Sequence, residues 1–82
     1  MAGQAEVLER LTAVFRDFFE DESLTLGADT TAAEVEGWDS VATVELMVAL
    51  EREFGIRFRT GEMARLENVG QLVERITHHL AG

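Results

Sequence analysis

The chain has 82 residues, sixteen acidic and seven basic, every base an arginine, for a formal net charge of −9. A chain this short buries one modest core and leaves little room for an enclosed catalytic cavity, so an autonomous enzyme is disfavoured. The charge opposes nucleic-acid binding, which rests on neutralising phosphates with Lys and Arg, and the absence of cysteine removes disulfides, thiolate catalysis and cysteine metal sites together.

The chain opens on MAGQAEVLERL, where acids stand among the apolar residues and no basic stretch precedes them, unlike a signal peptide. From residue 4 to about residue 20, Val7, Leu8, Leu11, Val14 or Phe15, and Phe18 recur at helical spacing. Glu6, Glu9, Arg10, Arg16 and Asp17 fall mostly elsewhere on the wheel, which predicts an amphipathic helix. Residues 21–39 lose that period and collect Ser23, Thr25, Gly27, Asp29, Thr30, Thr31 and Gly37, reading as a long connection with a short turn around Thr31–Val35. From Asp17 to Glu36, ends included, there are seven acids and no base. A connection this long inside a compact domain is often functional.

Residues 40–54 give the clearest helix. Leu46, Leu50 and Phe54 recur every fourth residue, with Thr43 and Met47 adjoining, and Gly55 suits a left-handed C-terminal cap. Ile56-Arg57-Phe58 forms a short apolar crossing, and Thr60 is placed to cap a brief helix over Glu62–Leu66. Asn68 then caps a last helix with Val69, Leu72, Val73, Ile76 and Leu80 on one side. No apolar run approaches a membrane span. The expectation is an all-α single domain over residues 1–82: a small four-helix bundle, three main helices plus one short one, with a long loop between the first two.

The residues that can carry chemistry gather at one point. Ser40 follows Asp39 at the start of the second helix, where a serine is ordinarily just an N-cap. Asp39 caps equally well and one cap suffices, so the Ser40 hydroxyl is left free at the positive end of the helix dipole, a favourable place for a phosphate-linked group. With Leu46, Leu50 and Phe54 turned inward, Val41, Val44, Glu45 and Val48 lie on another face, and with Glu51 they make a mixed apolar and acidic surface suited to a basic, partly apolar partner. His78 and His79 are adjacent and point about 100° apart on a helix, so they do not share one metal and read as surface residues. No P-loop, dinucleotide fingerprint or metal-ligand spacing is present, and the acidic loop lacks the EF-hand order. Trp38, the one tryptophan, reads as a partly buried anchor for the loop.

The run GWDSVATVELMVALEREFGIRF resembles the carrier motif of acyl carrier proteins, in which an Asp-Ser-Leu triplet opens the second helix. The likeness extends to the phenylalanine-rich first helix, the acidic loop, the Thr60–Leu66 segment and the NVGQLVERI ending. It implies a non-catalytic carrier whose serine, matched by Ser40, accepts 4′-phosphopantetheine from coenzyme A through a separate phosphopantetheinyl transferase. Asp39 matches the aspartate that organises magnesium and recognition in the transferase complex. Acyl groups then ride as thioesters on the arm. Glu45 and Glu51 match acidic positions of the recognition helix, and Val41, Val44 and Val48 its apolar contacts.

The resemblance also implies partners: acyltransferases, ligases or synthases with basic docking patches. With no signal-peptide pattern and no membrane span, the chain reads as cytoplasmic, and a monomer is expected. Some positions depart from the pattern. Val41 stands where leucine is usual, Ala42 and Arg52 stand where acids are frequent, and the Gly-Trp-Asp-Ser approach is closer to discrete carriers of polyketide or related specialised biosynthesis than to the fatty-acid protein. The alternatives are an aminoacyl or peptidyl carrier, D-alanyl carriers included, and an unmodified helical adaptor that docks through its second helix.

Overall fold

A computed structural model describes residues 3–59 and 61–81. Among the described residues there are three α-helices and no strand: α1 (Gln4–Phe18), α2 (Ser40–Phe54) and α3 (Val69–Ala81). Two single 3-10 turns, Ala32–Glu34 and Met63–Arg65, punctuate the connections.

Each helix buries most of the stripe that its periodicity assigns, with Leu8, Phe18 and Leu80 only partly buried at its margin. Val7, Leu11 and Phe15 of α1, Leu46, Leu50 and Phe54 of α2, and Val69, Leu72, Val73 and Ile76 of α3 form one core with Met63. At the either-or position of α1, Phe15 is the fully buried residue, and Val14 packs at the margin. Arg10 clamps α1 to the end of α2: its guanidinium donates to the Glu53 carbonyl at 2.7 Å and to the Glu53 carboxylate at 3.1 Å. The same group lies 4.5 Å over the Phe54 ring. Gly55 ends α2 in the left-handed conformation (φ 64°), and the Ile56 N–H returns to the Glu51 carbonyl at 3.1 Å.

The long acidic connection is fastened, not slack. Arg16 Nε donates to the Leu24 carbonyl at 2.7 Å, and the amides of Val69 and Gly70 donate to the carbonyls of Thr30 and Ala28, each at 2.8 Å. Two first-turn amides of α3, which have no partner inside the helix, thus find acceptors in the loop. A third, Gln71 N–H, donates to the Asn68 side chain at 2.9 Å, as the sequence predicts. Gly70 is what allows the approach, because a Cβ there would stand 2.9 Å from the Ala28 carbonyl oxygen.

One expected element is smaller than predicted. The short helix over Glu62–Leu66 is only the 3-10 turn Met63–Arg65, because Leu66 turns to extended backbone (ψ 132°) and leaves room for one turn. Leu66 packs against the core from there. The cap expected at Thr60 lies outside the described residues.

Candidate functional site

The start of α2 is built from Trp38, Asp39, Ser40 and Thr43. Asp39 is the N-cap: its backbone is extended and its carboxylate accepts the Ala42 N–H at 2.8 Å. The Asp39 carbonyl accepts both the Thr43 N–H and the Thr43 hydroxyl at 2.9 Å. Thr43 Oγ1 in turn accepts the Trp38 indole N–H at 2.9 Å. The Trp38 ring meets Phe15 edge-on, with centroids 5.1 Å apart. The tryptophan is therefore the partly buried anchor that its isolation suggests, and it locks the approach to α2 against the core.

Ser40 takes no part in this network. It is exposed, occupies the first helical position, and makes no side-chain hydrogen bond among the described residues. Asp39 takes the amide of Ala42, which leaves the N–H groups of Ser40 and Val41 at the helix end without acceptors among the described residues. The site thus offers a free hydroxyl with two unpaired donors beside it and the positive end of the α2 dipole behind it, chemistry that fits a phosphodiester. The Asp39 charge opposes an anion there, although its carboxylate is already held by the cap.

Beyond Ser40, α2 carries its other candidates on the outside. Val41, Val44 and Val48 are 66%, 58% and 43% exposed, values foreign to core valines, and Glu45 is exposed among them. Glu51 is different in kind. It is half-buried, and its carboxylate accepts the Phe58 N–H at 2.8 Å, so this residue also holds the segment that follows α2.

Next to Ser40 lies a feature that the one-dimensional reading misses, a largely apolar cavity of about 500 Å³. Ser40, Thr43, Val44 and Met47 line it from α2, Met63 and Leu66 from the connecting segment, and Leu72 from α3. A signal for it does exist in the sequence: Ser40, Thr43, Val44 and Met47 follow i, i+3, i+4, i+7 spacing and so form one stripe. A larger, polar depression of about 670 Å³ around Arg59, Glu62, Arg65 and Arg75 does not reach Ser40.

The two histidines part company. His78 is exposed, but His79 is half-buried, with Nε2 3.2 Å from both Glu62 carboxylate oxygens and its ring edge-on to Phe58. The reading of His79 as a plain surface residue is thereby corrected, since its partner stands seventeen residues away in sequence. Among the described residues no group of three or more ligating side chains is placed to hold a metal, and no helix is long and apolar enough to cross a membrane.

Comparison with known proteins bears on the same features. The family model described as phosphopantetheine attachment site matches residues 9–76. A curated protein named acyl carrier protein, from Thermosynechococcus vestitus, is 31% identical over 78 residues, covering 95% of this chain and 96% of that protein. Another of that name, from Rickettsia bellii, is 35% identical over 54 residues, 66% of this chain and 63% of that one. A solution NMR structure of a holo acyl carrier protein from Geobacter metallireducens superposes with a TM-score of 0.84 at 39% identity, covering 92% of this chain and 86% of that one.

Proposed function

We propose that this chain, which belongs to the phosphopantetheine attachment site family, carries its prosthetic group on Ser40 and presents acyl cargo from there to partner enzymes. Its function is that of an acyl carrier protein, a non-catalytic carrier whose prosthetic group is 4′-phosphopantetheine. When bound, the arm supplies a flexible tether ending in a thiol that holds acyl groups as thioesters, so a chain without cysteine performs its task on borrowed sulfur.

The observation that carries the choice of Ser40 is the division of labour at the start of α2. Asp39 does the capping, and the neighbouring hydroxyl is exposed and unused. The unpaired amides of Ser40 and Val41 are the groups that would meet the phosphate, and in the loading complex Asp39 would help to organise magnesium.

The family implies a phosphopantetheinyl transferase and biosynthetic enzymes in general as partners. The finer reading is that Val41, Val44 and Val48 with Glu45, and Glu51 at the far end, receive basic, partly apolar patches on acyltransferases, ligases or synthases. The cavity beside Ser40 supports a further element, shelter for the apolar part of a cargo, with Met47 and Met63 as adaptable walls. We place the protein as a single carrier unit over residues 1–82, working in the cytoplasm in polyketide, fatty-acid or related specialised biosynthesis.

Incubation with a fluorescent coenzyme A, magnesium and a broad-specificity transferase tests the assignment. Wild type takes the label and Ser40→Ala does not. A wild type unlabelled by several transferases, or a labelled Ser40→Ala, contradicts it. Loading with acyl against aminoacyl donors then separates an acyl carrier from an aminoacyl or peptidyl one.

A further inference from the structure

One wall of the cavity beside Ser40 is not helical. Gly61, Met63 and Leu66 line it from the segment between α2 and α3, which has a single 3-10 turn of its own. A segment with so few internal backbone bonds keeps its place only through ties to the helices around it.

Glu62 provides the tie to α3. Its carboxylate accepts the Arg59 N–H at 2.8 Å and forms an ion pair with Arg75, whose Nε lies 3.1 Å away, and His79 Nε2 stands 3.2 Å from both of its oxygens. An ionised carboxylate only accepts, so His79 Nε2 carries the hydrogen. The Glu62 side chain is only 11% exposed, so its charge-assisted bonds with Arg59 and His79 face little competition from water, while the Arg75 partner is itself partly exposed. On the opposite flank Glu51 of α2 holds the Phe58 N–H at 2.8 Å, and Phe58 lies edge-on to the His79 ring at 5.6 Å. The residues that line the cavity thus hang between a tie to α2 and a tie to α3. Glu62, Arg75, Arg59 and His78 border the polar depression behind that wall, so the charges of a released clasp find water there.

We propose that Glu62 is a positioning residue whose clasp on Arg75 and His79 holds residues 61–66 against α3 and sets how far the cavity beside Ser40 opens. The role in cargo handling rests on the reading of that cavity as the cargo's shelter. The clasp itself is tested on the unmodified protein.

Hydrogen exchange and binding of Nile red, a neutral apolar dye, read the wall directly. In Glu62→Gln the amides of residues 61–66 exchange about tenfold faster while those of residues 7–15 and 43–54 keep their rates. Dye affinity rises about threefold in the same variant, from the wider cavity. His79→Ala gives the same pattern and serves if Glu62→Gln does not fold. Unchanged exchange over residues 61–66, faster exchange spread evenly through all three helices, or local loosening with no gain in dye affinity each overturns the proposal. Cargo entry is read separately, from the methyl signals of Met47 and Met63 in acyl-loaded wild type. A failure there leaves the exchange and dye results standing.

Discussion

The Asp39 carboxylate accepts the Ala42 N–H at 2.8 Å and by doing so releases Ser40, the next residue, from any structural duty. The two positions should therefore separate cleanly in stability measurements. Asp39→Ala removes the cap and lowers stability by about 1 kcal/mol. Ser40→Ala changes it by less than about 0.5 kcal/mol, as expected of an exposed position without a partner. Urea denaturation at neutral pH checks both, and a large loss in Ser40→Ala would mean that the hydroxyl is doing the capping.

Gly70 lets α3 receive the acidic loop. Gly70→Ala drives a Cβ to 2.9 Å from the Ala28 carbonyl oxygen, a backbone atom with no rotamer in which to retreat. The expected outcome is destabilisation of about 1–3 kcal/mol, with the amides of Val69 and of residue 70 losing exchange protection first. Equal stability of the variant would show that the loop is not pinned there.

The legible part of this fold was legible because its punctuation is strong. Asp39 and Gly55 bracket α2 at the predicted residues, and each helix buries most of the stripe that its period assigns. Met47 could be placed on α2 but not beside Met63, Leu66 and Leu72, because their meeting is made by tertiary packing that periodicity does not encode. The same applies to His79, which looks like one of two surface histidines until Glu62 is brought to it from the preceding segment. The short helix fell to a single 3-10 turn because Leu66 is drawn inward to the core.

Acid should loosen the Glu62 clasp. Partial burial opposes ionisation of Glu62, but the Arg59 N–H, the His79 ring and the Arg75 charge outweigh it and hold the carboxyl below its ordinary value of 4.5. A carboxyl depressed in the folded state contributes stability that is fully present above the ordinary value and is lost as pH falls through the folded one. Wild type should therefore exceed Glu62→Gln in stability at pH 6, and the gap should close as the pH drops below 4.5. Urea titrations across that range check the sign; a gap that widens in acid would contradict it.

The valine and glutamate face of α2 makes a kinetic prediction. If Glu45 and its acidic neighbours steer partners, association with the transferase slows by about tenfold or more as salt rises from low to high. Glu45→Arg reduces the low-salt rate, and Val44→Asp weakens the complex mainly through faster dissociation. Stopped-flow association measured across an ionic-strength series reads all three, and rates independent of salt would exclude steering by this face.

The central claim, that Ser40 is the tether point, is tested most directly by the mass of the protein after incubation with coenzyme A, magnesium and a phosphopantetheinyl transferase, followed by fragmentation to the residue. The account predicts a gain of one phosphopantetheine, located on Ser40 and absent from Ser40→Ala. No gain with several transferases, or a gain on any other residue, would contradict it.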